Sequence, residues 1–248
     1  MQTLFKPKAE HVENVILLRE ELLMPDYAPS EVLHRESEIK AIAEAVNPLL
    51  DGRTCDNLFI YGNSGTGKTT SVKHVLSELN EATSKVVPVY INCGEHISQM
   101  AVYTRMLVLL GVALPRRGLA TDEVFQRITE TMTKDKTAVL VVLDELDALV
   151  FRKEDDVLYT LSRAPVRFGI IGISCDTGLL VKLDNRVNSS LRFTNFEFKS
   201  YTTQQITEIL AQRAKLALAK GSWDFEVLED CAAIGKANGG NVRLALEM

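Results

Sequence analysis

A glycine-rich stretch in the first third of the chain carries the residue types that bind a nucleotide polyphosphate. The letters GNSGTGKT at residues 62–69 match the pattern G-x-x-x-x-G-K-[ST] without a gap. Glycines let backbone N–H groups surround an anion, and the N-terminus of a following helix adds its positive dipole end. Lys68 can bridge the β- and γ-phosphates, and the Thr69 hydroxyl can ligate Mg²⁺. We expect the phosphates at Gly62, Asn63, Ser64, Gly65, Thr66, Gly67, Lys68, Thr69 and Thr70.

A pair of acids follows the most apolar segment of the chain. Asp144 and Glu145 lie in the run VLVVLDELD, at the carboxyl end of a predicted strand, which is where open α/β sheets place their ligands. The Asp144 carboxylate can hold Mg²⁺ through water, and Glu145 can polarise an attacking water. The alternative is a pair of solvated acids that open a helix. Together with the glycine-rich loop upstream, the pair instead indicates hydrolysis of the nucleotide.

The elements that must position these residues alternate between strands and helices. Apolar runs predict strands at residues 57–61, 85–92, 137–149 (a run that ends in acids), 168–174 and 191–198. Helical spacing of apolar residues predicts helices at residues 36–50, 70–79, 98–110, 121–132 (with Thr121 as N-cap), 202–220, 225–238 and from 240. This order implies an α/β fold with a parallel five-stranded sheet sandwiched by helices, and a separate small helical bundle after Phe198. The glycine-rich loop then joins a strand to a helix, which argues against an incidental turn.

Length, composition and cysteine usage restrict the class of protein. The chain has 248 residues, of which 46% are hydrophobic and 25% charged, as in an ordinary globular protein. It has no apolar run of the roughly 18–20 residues that span a bilayer, and its amino terminus lacks the apolar core of a signal peptide. That missing run predicts no membrane partner. The four cysteines form no CxxC pair, which favours a reducing cytoplasm. A net charge of -5 argues against coating nucleic acid by charge alone, although it leaves a local basic patch open.

Taken together, the loop and the acid pair resemble those of the AAA+ ATPases, which bind ATP or ADP with Mg²⁺. The surrounding segments resemble the archaeal replication initiators related to the eukaryotic origin recognition complex and its loading partner, almost from end to end. The segments that carry this resemblance are MPDYAPSEVLHRESEI, NLFIYGNSGTGKTT, VYINC, LPRRGLATDEVF, VVLDELDAL, LYTLSRA, IIGISCD, LDNRVNSSL, YTTQQITEILAQRA and GGNVRLALEM. The resemblance implies an AAA+ α/β domain over residues 1–199 and a helical lid over residues 200–248.

The resemblance also implies a nucleotide pocket built from both domains. His34 and Arg35 would lie beside the adenine. Tyr201 and Arg213 would close the pocket from the lid side, although Tyr201 could equally be an ordinary core aromatic.

Two further arginines match catalytic positions of the family. Arg186 matches an arginine that can act as a finger toward a neighbouring subunit's nucleotide, and Arg243 matches a second sensor that contacts the γ-phosphate of its own chain. A fixed guanidinium complements the charge that develops on a transferred phosphoryl group. From the sequence alone, an ion pair with a nearby carboxylate is the competing interpretation for Arg186.

The sequence departs from the family pattern at two places. The family usually has an asparagine, the first sensor, where this chain has Cys175, and a thiol is a weak hydrogen-bond donor. Either Ser174 or Asp176 substitutes for it, or hydrolysis is slow. Family members also continue into a winged-helix domain that grips DNA, whereas this chain stops at Met248 within the lid. A truncated chain, a fragmentary gene product and a short paralogue are all open interpretations.

The segment that matches the initiators' helical insertion covers roughly residues 94–118. It lacks acids from residue 97 to 121 and contains Arg105, Arg116 and Arg117, which could meet DNA phosphates or enter a minor groove. The simpler interpretation of its apolar residues is helix packing; they are Met100, Val102, Met106, Leu107, Leu109 and Leu110.

The resemblance therefore predicts a slow ATPase that binds origin double-stranded DNA, loads a replicative helicase and meets other initiator subunits, in the cytoplasm beside the nucleoid. The alternative is a regulatory or signalling ATPase that acts through protein partners without DNA, favoured by the acidic net charge and the missing winged helix. A metabolic P-loop kinase would not explain the segment LDNRVNSSL or the helical tail.

Overall fold

The computed structural model of the protein describes residues 16–24, 27, 29–113 and 118–248. These residues form a five-stranded sheet in which every pair of neighbouring strands is parallel, in the order β2-β3-β4-β1-β5. The strands are β1 (Leu58–Tyr61), β2 (Val86–Asn92), β3 (Ala138–Asp144), β4 (Phe168–Ser174) and β5 (Thr194–Glu197). Their carboxyl ends therefore meet along one edge, where both candidate motifs lie.

Helices cover both faces of the sheet. The helices of this domain are α1 (Glu36–Val46), α2 (Lys68–Ala82), α3 (Gln99–Leu109), α4 (Thr121–Asp135), α5 (Asp147–Phe151), α6 (Asp156–Arg163), α7 (Leu179–Lys182) and α8 (Asn185–Leu191). All seven residues of β3 are buried, and alternate side chains point to opposite faces. Val141 and Leu143 pack with α3 to α8, whereas Leu140 and Val142 pack with α1 and α2. The most apolar strand therefore lies inside the sheet, between two cores.

The carboxyl-terminal part of the chain is a small helical bundle, which we call the lid. It contains α9 (Thr203–Ala217), α10 (Phe225–Ala237) and α11 (Val242–Leu246), and its own core includes Tyr201, Ile206 and Leu210. Residues 16–22 run along the end of α9, where the Leu18 N–H donates to the Ala217 carbonyl at 2.8 Å. The predicted fold class, a parallel five-stranded sheet between helices followed by a helical lid, is confirmed. The division between residues 199 and 200 stays a prediction.

Several element boundaries differ from the sequence prediction. The run at residues 137–149 ends as a strand at Asp144, because Glu145 adopts a positive φ of 54° and turns the chain toward α5. Thr121 is the first residue of α4 and not its N-cap, since the Glu123 side chain accepts the Ala120 N–H at 3.2 Å. The last strand is shorter than predicted, because residues up to Leu191 belong to α8. Within the described ranges no helix is both long enough and apolar enough to cross a membrane.

Candidate nucleotide-binding site

The glycine-rich loop between β1 and α2 folds against the lid. Gly62, Gly65 and Gly67 have positive φ angles of 151°, 73° and 85°, which L side chains rarely adopt. A Cβ on Gly65 would strike the Asn241 side chain, and a Cβ on Gly67 would lie 2.6 Å from the Tyr201 hydroxyl. The loop therefore needs glycine both for its turns and for the close approach of the lid.

Lys68 begins α2 with its side chain buried beside the loop. Its ammonium donates to the carbonyl oxygens of Gly62 and Asn63, each at 2.7 Å, and lies 3.4 Å from the Cys175 sulfur. Only 6% of Lys68 is exposed, so the loop carbonyls compensate much of the cost of burying the charge. The same ammonium lines the cavity above the loop, where phosphate oxygens could replace these partners.

Three donors converge on the buried Asp144 carboxylate at the end of β3. The hydroxyls of Thr69 and Tyr90 both donate to Oδ2 at 2.7 Å, and the Glu145 N–H donates to Oδ1 at 2.9 Å. Burial, with Asp144 next to it, raises the pKa of Tyr90, so its phenol stays protonated and donates. These contacts hold the carboxylate in one orientation.

The Thr69–Asp144 pair fits a magnesium ion. Hydroxyl and carboxylate oxygens are ligands that Mg²⁺ prefers, and Mg²⁺ usually binds one or two protein groups together with water and substrate phosphates. The pair therefore suits an ion that arrives with a nucleotide.

Glu145 lies beside this pair and lines the same cavity. Its Oε1 accepts a hydrogen bond from Asn92 Nδ2 at 3.3 Å, and Asn92 Oδ1 accepts the Gly94 N–H at 2.7 Å. Asn92 ends β2, which lies on the side of β3 opposite to β4 and β1. The hydrogen bond thus holds the Glu145 carboxylate at the end of β2.

The lid and the segment before α1 complete the cavity, whose volume of about 360 Å³ is in the range that holds small ligands. The loop and the first turn of α2 supply Ser64, Gly65, Thr66, Gly67, Lys68, Thr69 and Thr70. Gly62 and Asn63 are not among the described residues that line the cavity, although their carbonyl oxygens accept hydrogen bonds from Lys68. The cavity is also lined by apolar residues, which suit a base: Met24, Tyr27, Val32, Leu33, Ile209 and Leu246.

The two lid-side residues expected around the nucleotide, and Arg243, also line this cavity. Arg213 is buried, its Nη1 donates to the Leu22 carbonyl at 3.2 Å, and its guanidinium lies 4.4 Å from the centre of the Tyr27 ring. Burial lowers the pKa of Arg213. Arg243 lies on α11, exposed to the cavity. Arg213 therefore joins the lid to the segment before α1, and Arg243 is available for a ligand.

His34 and Arg35 precede α1, and the adenine contact expected for them stays a prediction. Neither is among the described residues that line the cavity. His34 has a φ of 59°, and its Nε2 lies 2.8 Å from Glu208 Oε2. The Arg35 guanidinium stacks 3.9 Å from the centre of the Tyr201 ring and donates to the Thr66 carbonyl at 3.1 Å. Arg35 and Tyr201 thus form a buried support behind the loop.

Arg186 is exposed on α8, and it is not among the described residues that line the cavity. Its Nε lies 3.3 Å from Asp184 Oδ1, and its Nη2 lies 3.4 Å from Asp156 Oδ1. This arrangement is the ion pair that the sequence left open. A finger role toward a neighbouring subunit stays a prediction.

The candidates for the first sensor lie at the end of β4. Ser174 donates to Asp147 Oδ1 at 2.6 Å, and Asp176 Oδ2 lies 2.6 Å from Lys182 Nζ. Ser174 and Cys175 both line the cavity, and Cys175 lies next to the Lys68 ammonium, whereas Asp176 is not among the described residues that line it. Which residue replaces the first sensor stays a prediction.

The expected DNA contacts are only partly within the described ranges. Arg105 is exposed on α3, whereas Arg116 and Arg117 lie outside the described residues. Most of the apolar residues of this segment pack as helix and core residues; Val102, Met106 and Leu107 are fully buried. Packing within the domain thus explains why this segment is rich in apolar residues.

Four residues that contact the site residues are not predicted by the sequence: Tyr90, Asn92, Tyr27 and Asn241. Tyr90 and Asn92 belong to the quoted segment VYINC, at the end of a strand parallel to β3. The sequence offered one signal for these two residues. They end a predicted strand, and the carboxyl ends of parallel strands share one edge of the sheet, where Asp144 also lies.

Comparisons with known proteins agree with this geometry. Residues 51–180 match the AAA domain family, and residues 207–248 match the Cdc6 AAA+ ATPase-type lid domain. The ORC1-type DNA replication protein 1 of Sulfolobus acidocaldarius is 38% identical over 234 residues, covering 92% of this chain and 59% of the relative. The chain thus spans about three fifths of the length of that relative.

Two solved structures have the same fold. The ORC1 protein of Aeropyrum pernix in complex with DNA has a TM-score of 0.85 at 33% identity, covering 94% of this chain and 62% of that one. Cdc6p of Pyrobaculum aerophilum has a TM-score of 0.82 at 26% identity, covering 94% and 64%. The chain therefore belongs to the AAA+ ATPases with a Cdc6-type lid, in the family of the archaeal ORC1-type DNA replication proteins.

Proposed function

We propose that this chain is the ATP-dependent module of a DNA replication initiator, which binds ATP with Mg²⁺, hydrolyses it slowly and uses the ATP and ADP states as a switch. One observation carries the proposal. Lys68, the hydrogen-bonded pair of Thr69 and Asp144, and Arg243 of the lid line one cavity. Lys68 suits the β- and γ-phosphates, the Thr69–Asp144 pair suits the metal ion, and Arg243 suits the γ-phosphate of the same nucleotide.

The chain's own residues divide the work of hydrolysis. Bound Mg²⁺ would neutralise charge on the phosphate oxygens. Lys68 would exchange its carbonyl partners for phosphate oxygens, and Thr69 and Asp144 would hold the ion. Glu145 would orient a water and accept its proton once it leaves Asn92. Arg243 would stabilise the charge that develops on the transferred group.

Slow turnover has two supports in the geometry. Cys175 replaces an amide at the end of β4, so the site lacks that donor for the attacking water. Glu145 is held by Asn92 on the far side of β3. Each feature adds to the barrier for positioning the water.

The lid connects the nucleotide to a conformational change. The Val242 N–H donates to the Gly65 carbonyl at 3.2 Å, so α11 is tied directly to the loop. A γ-phosphate that pairs with Arg243 would hold the lid against the sheet, and its loss would relax this contact.

The proposed partners are origin double-stranded DNA, a replicative helicase and other initiator subunits, which places the protein in the cytoplasm beside the nucleoid. Support comes from the family, and in particular from the related ORC1 protein solved in complex with DNA. The exposed Arg105 on α3 belongs to the segment expected to contact DNA phosphates.

ATP binding is tested by calorimetry with Mg²⁺ on Lys68→Ala. We expect the substitution to abolish binding, because no other ammonium lies in the described part of the cavity. Lys40→Ala is the matched control, since Lys40 lies exposed on α1 beside Glu44. Equal affinity in Lys68→Ala and the wild type would overturn the proposal.

DNA binding is tested separately, because the net charge of -5 favours the alternative, a regulatory ATPase that acts through protein partners. We expect duplex binding that weakens with salt, by a slope of about 0.9 per neutralised phosphate. Charge reversal at Arg105, Arg116 and Arg117 should weaken binding and reduce that slope. No binding at low salt by the full-length gene product would favour the alternative.

A further inference from the structure

Tyr90 contributes a hydroxyl to the proposed metal site. It lies on β2, which carries neither the glycine-rich loop nor the acid pair. Its hydroxyl oxygen lies 2.7 Å from Asp144 Oδ2. In the register of β2 and β3, Tyr90 is paired with Val142 and Asn92 with Asp144, so the Tyr90 side chain extends diagonally along the sheet to the carboxylate.

The contact decides which lone pairs of Asp144 are free. A carboxylate has about four acceptor positions, two on each oxygen. Thr69 and Tyr90 occupy both positions on Oδ2, and the Glu145 N–H occupies one on Oδ1. One position on Oδ1 remains for a metal-bound water. Without the Tyr90 hydroxyl, Oδ2 would regain a free lone pair and the carboxylate could rotate.

We propose that Tyr90 is a positioning residue, which fixes the Asp144 carboxylate so that it receives the Mg²⁺ bound with the nucleotide. This inference rests on the proposed function. Hydrogen-bond partners of metal ligands typically change metal affinity or activity about 10–100-fold when they are removed.

Tyr90→Phe isolates the hydroxyl. The ring of Tyr90 also lies 4.7 Å from Lys73 Nζ, and a phenylalanine keeps both this contact and the packing of the ring. Tyr103→Phe is the matched control, since Tyr103 is buried on α3 and its hydroxyl accepts from Gln99 Nε2 at 2.9 Å, away from the cavity. Each variant thus loses one hydrogen-bonded phenol.

The experiment measures metal binding without turnover. Calorimetry gives the ATP affinity in excess EDTA, and electron paramagnetic resonance gives the Mn²⁺ concentration that half-saturates the protein–ATP complex. For Tyr90→Phe we expect the ATP affinity in EDTA to stay within about twofold and the Mn²⁺ midpoint to rise about tenfold. Tyr103→Phe should leave both unchanged.

A double-mutant cycle shows whether Tyr90 acts through Asp144. In an Asp144→Asn background, Tyr90→Phe should no longer shift the Mn²⁺ midpoint, because the group it positions is gone. An unchanged midpoint in Tyr90→Phe, or the same shift in both backgrounds, would overturn the inference. If the wild type bound no ATP in either condition, the proposed function would fail and the inference with it.

Discussion

Asn92 Nδ2 donates a hydrogen bond of 3.3 Å to Glu145 Oε1, between the ends of the neighbouring strands β2 and β3. The contact holds the proposed base on the side of β3 away from the glycine-rich loop. Because a single long hydrogen bond is cheap to break, it can restrain Glu145 without disabling it.

Asn92→Ala should therefore raise the turnover of bound ATP. Release of a hydrogen bond worth about 1 kcal/mol corresponds to about a fivefold increase in kcat, with the ATP Kd unchanged. Single-turnover hydrolysis of radiolabelled ATP measures the rate. Glu145→Gln, which should bind ATP and not hydrolyse it, sets the background. A fall in kcat for Asn92→Ala would mean that Asn92 holds Glu145 in its working orientation.

Glu145 could be assigned from the acid pair, but its contact with Asn92 could not. The loop and the acid pair are recognisable because each is a local pattern, and the acids end a run of seven buried residues. The contact of Asn92 with Glu145 depends instead on β2 being the neighbour of β3 in register. Strand order is a property of the whole sheet, and no short segment encodes it.

The position of Arg35 shows a second limit on what the sequence can predict. The resemblance assigned its segment to the adenine side, and nearby residues such as Val32 and Leu33 do line the cavity. The positive φ of His34 turns the chain, so that the following side chain passes behind the loop. The partners of a side chain beside such a turn depend on the backbone conformation of a single residue, and the sequence pattern does not resolve it.

The hydrogen bond of Arg35 to Glu38 makes the stability of the protein depend on pH. Burial alone would raise the pKa of Glu38, but hydrogen bonds from Ser37 and Arg35 lower it below the ordinary 4.5. A lowered folded-state pKa contributes stability above pH 4.5 that is lost as the pH falls through the folded value. Glu38→Gln should lower the free energy of unfolding at pH 7 by about 1 kcal/mol, after screening by solvent.

Urea unfolding of Glu38→Gln and the wild type at a series of pH values measures this effect. The difference between the two proteins should shrink as the pH falls below 4.5, because the wild-type carboxyl then becomes protonated. Glu44→Gln is the control, since Glu44 forms an exposed pair with Lys40 on the same helix. A constant difference across the series would contradict the assigned role of the Arg35 contact.

Arg186 is exposed and paired with Asp184 and Asp156, and such surface pairs contribute little to stability. Arg186→Ala should therefore leave the melting temperature and the ATP Kd unchanged. If Arg186 acts on a neighbouring subunit, the wild-type ATPase rate per chain should rise with protein concentration and the rate of the variant should not. Equal dependence on concentration in both proteins would remove the finger role.

Arg243 distinguishes ATP from ADP if it pairs with the γ-phosphate. It lies on α11, exposed to the cavity, and the N-cap of that helix, Asn241, packs against Gly65 of the loop. Arg243→Ala should lower the ATP affinity about tenfold, because a charge-assisted hydrogen bond to phosphate is lost, and should leave the ADP affinity unchanged. Calorimetric titration with each nucleotide gives the ratio, and Arg53→Ala, which removes an exposed arginine paired with Asp51, is the control. An equal loss for ATP and ADP would place Arg243 on the α- or β-phosphate, and the lid would then respond to any nucleotide and not to hydrolysis.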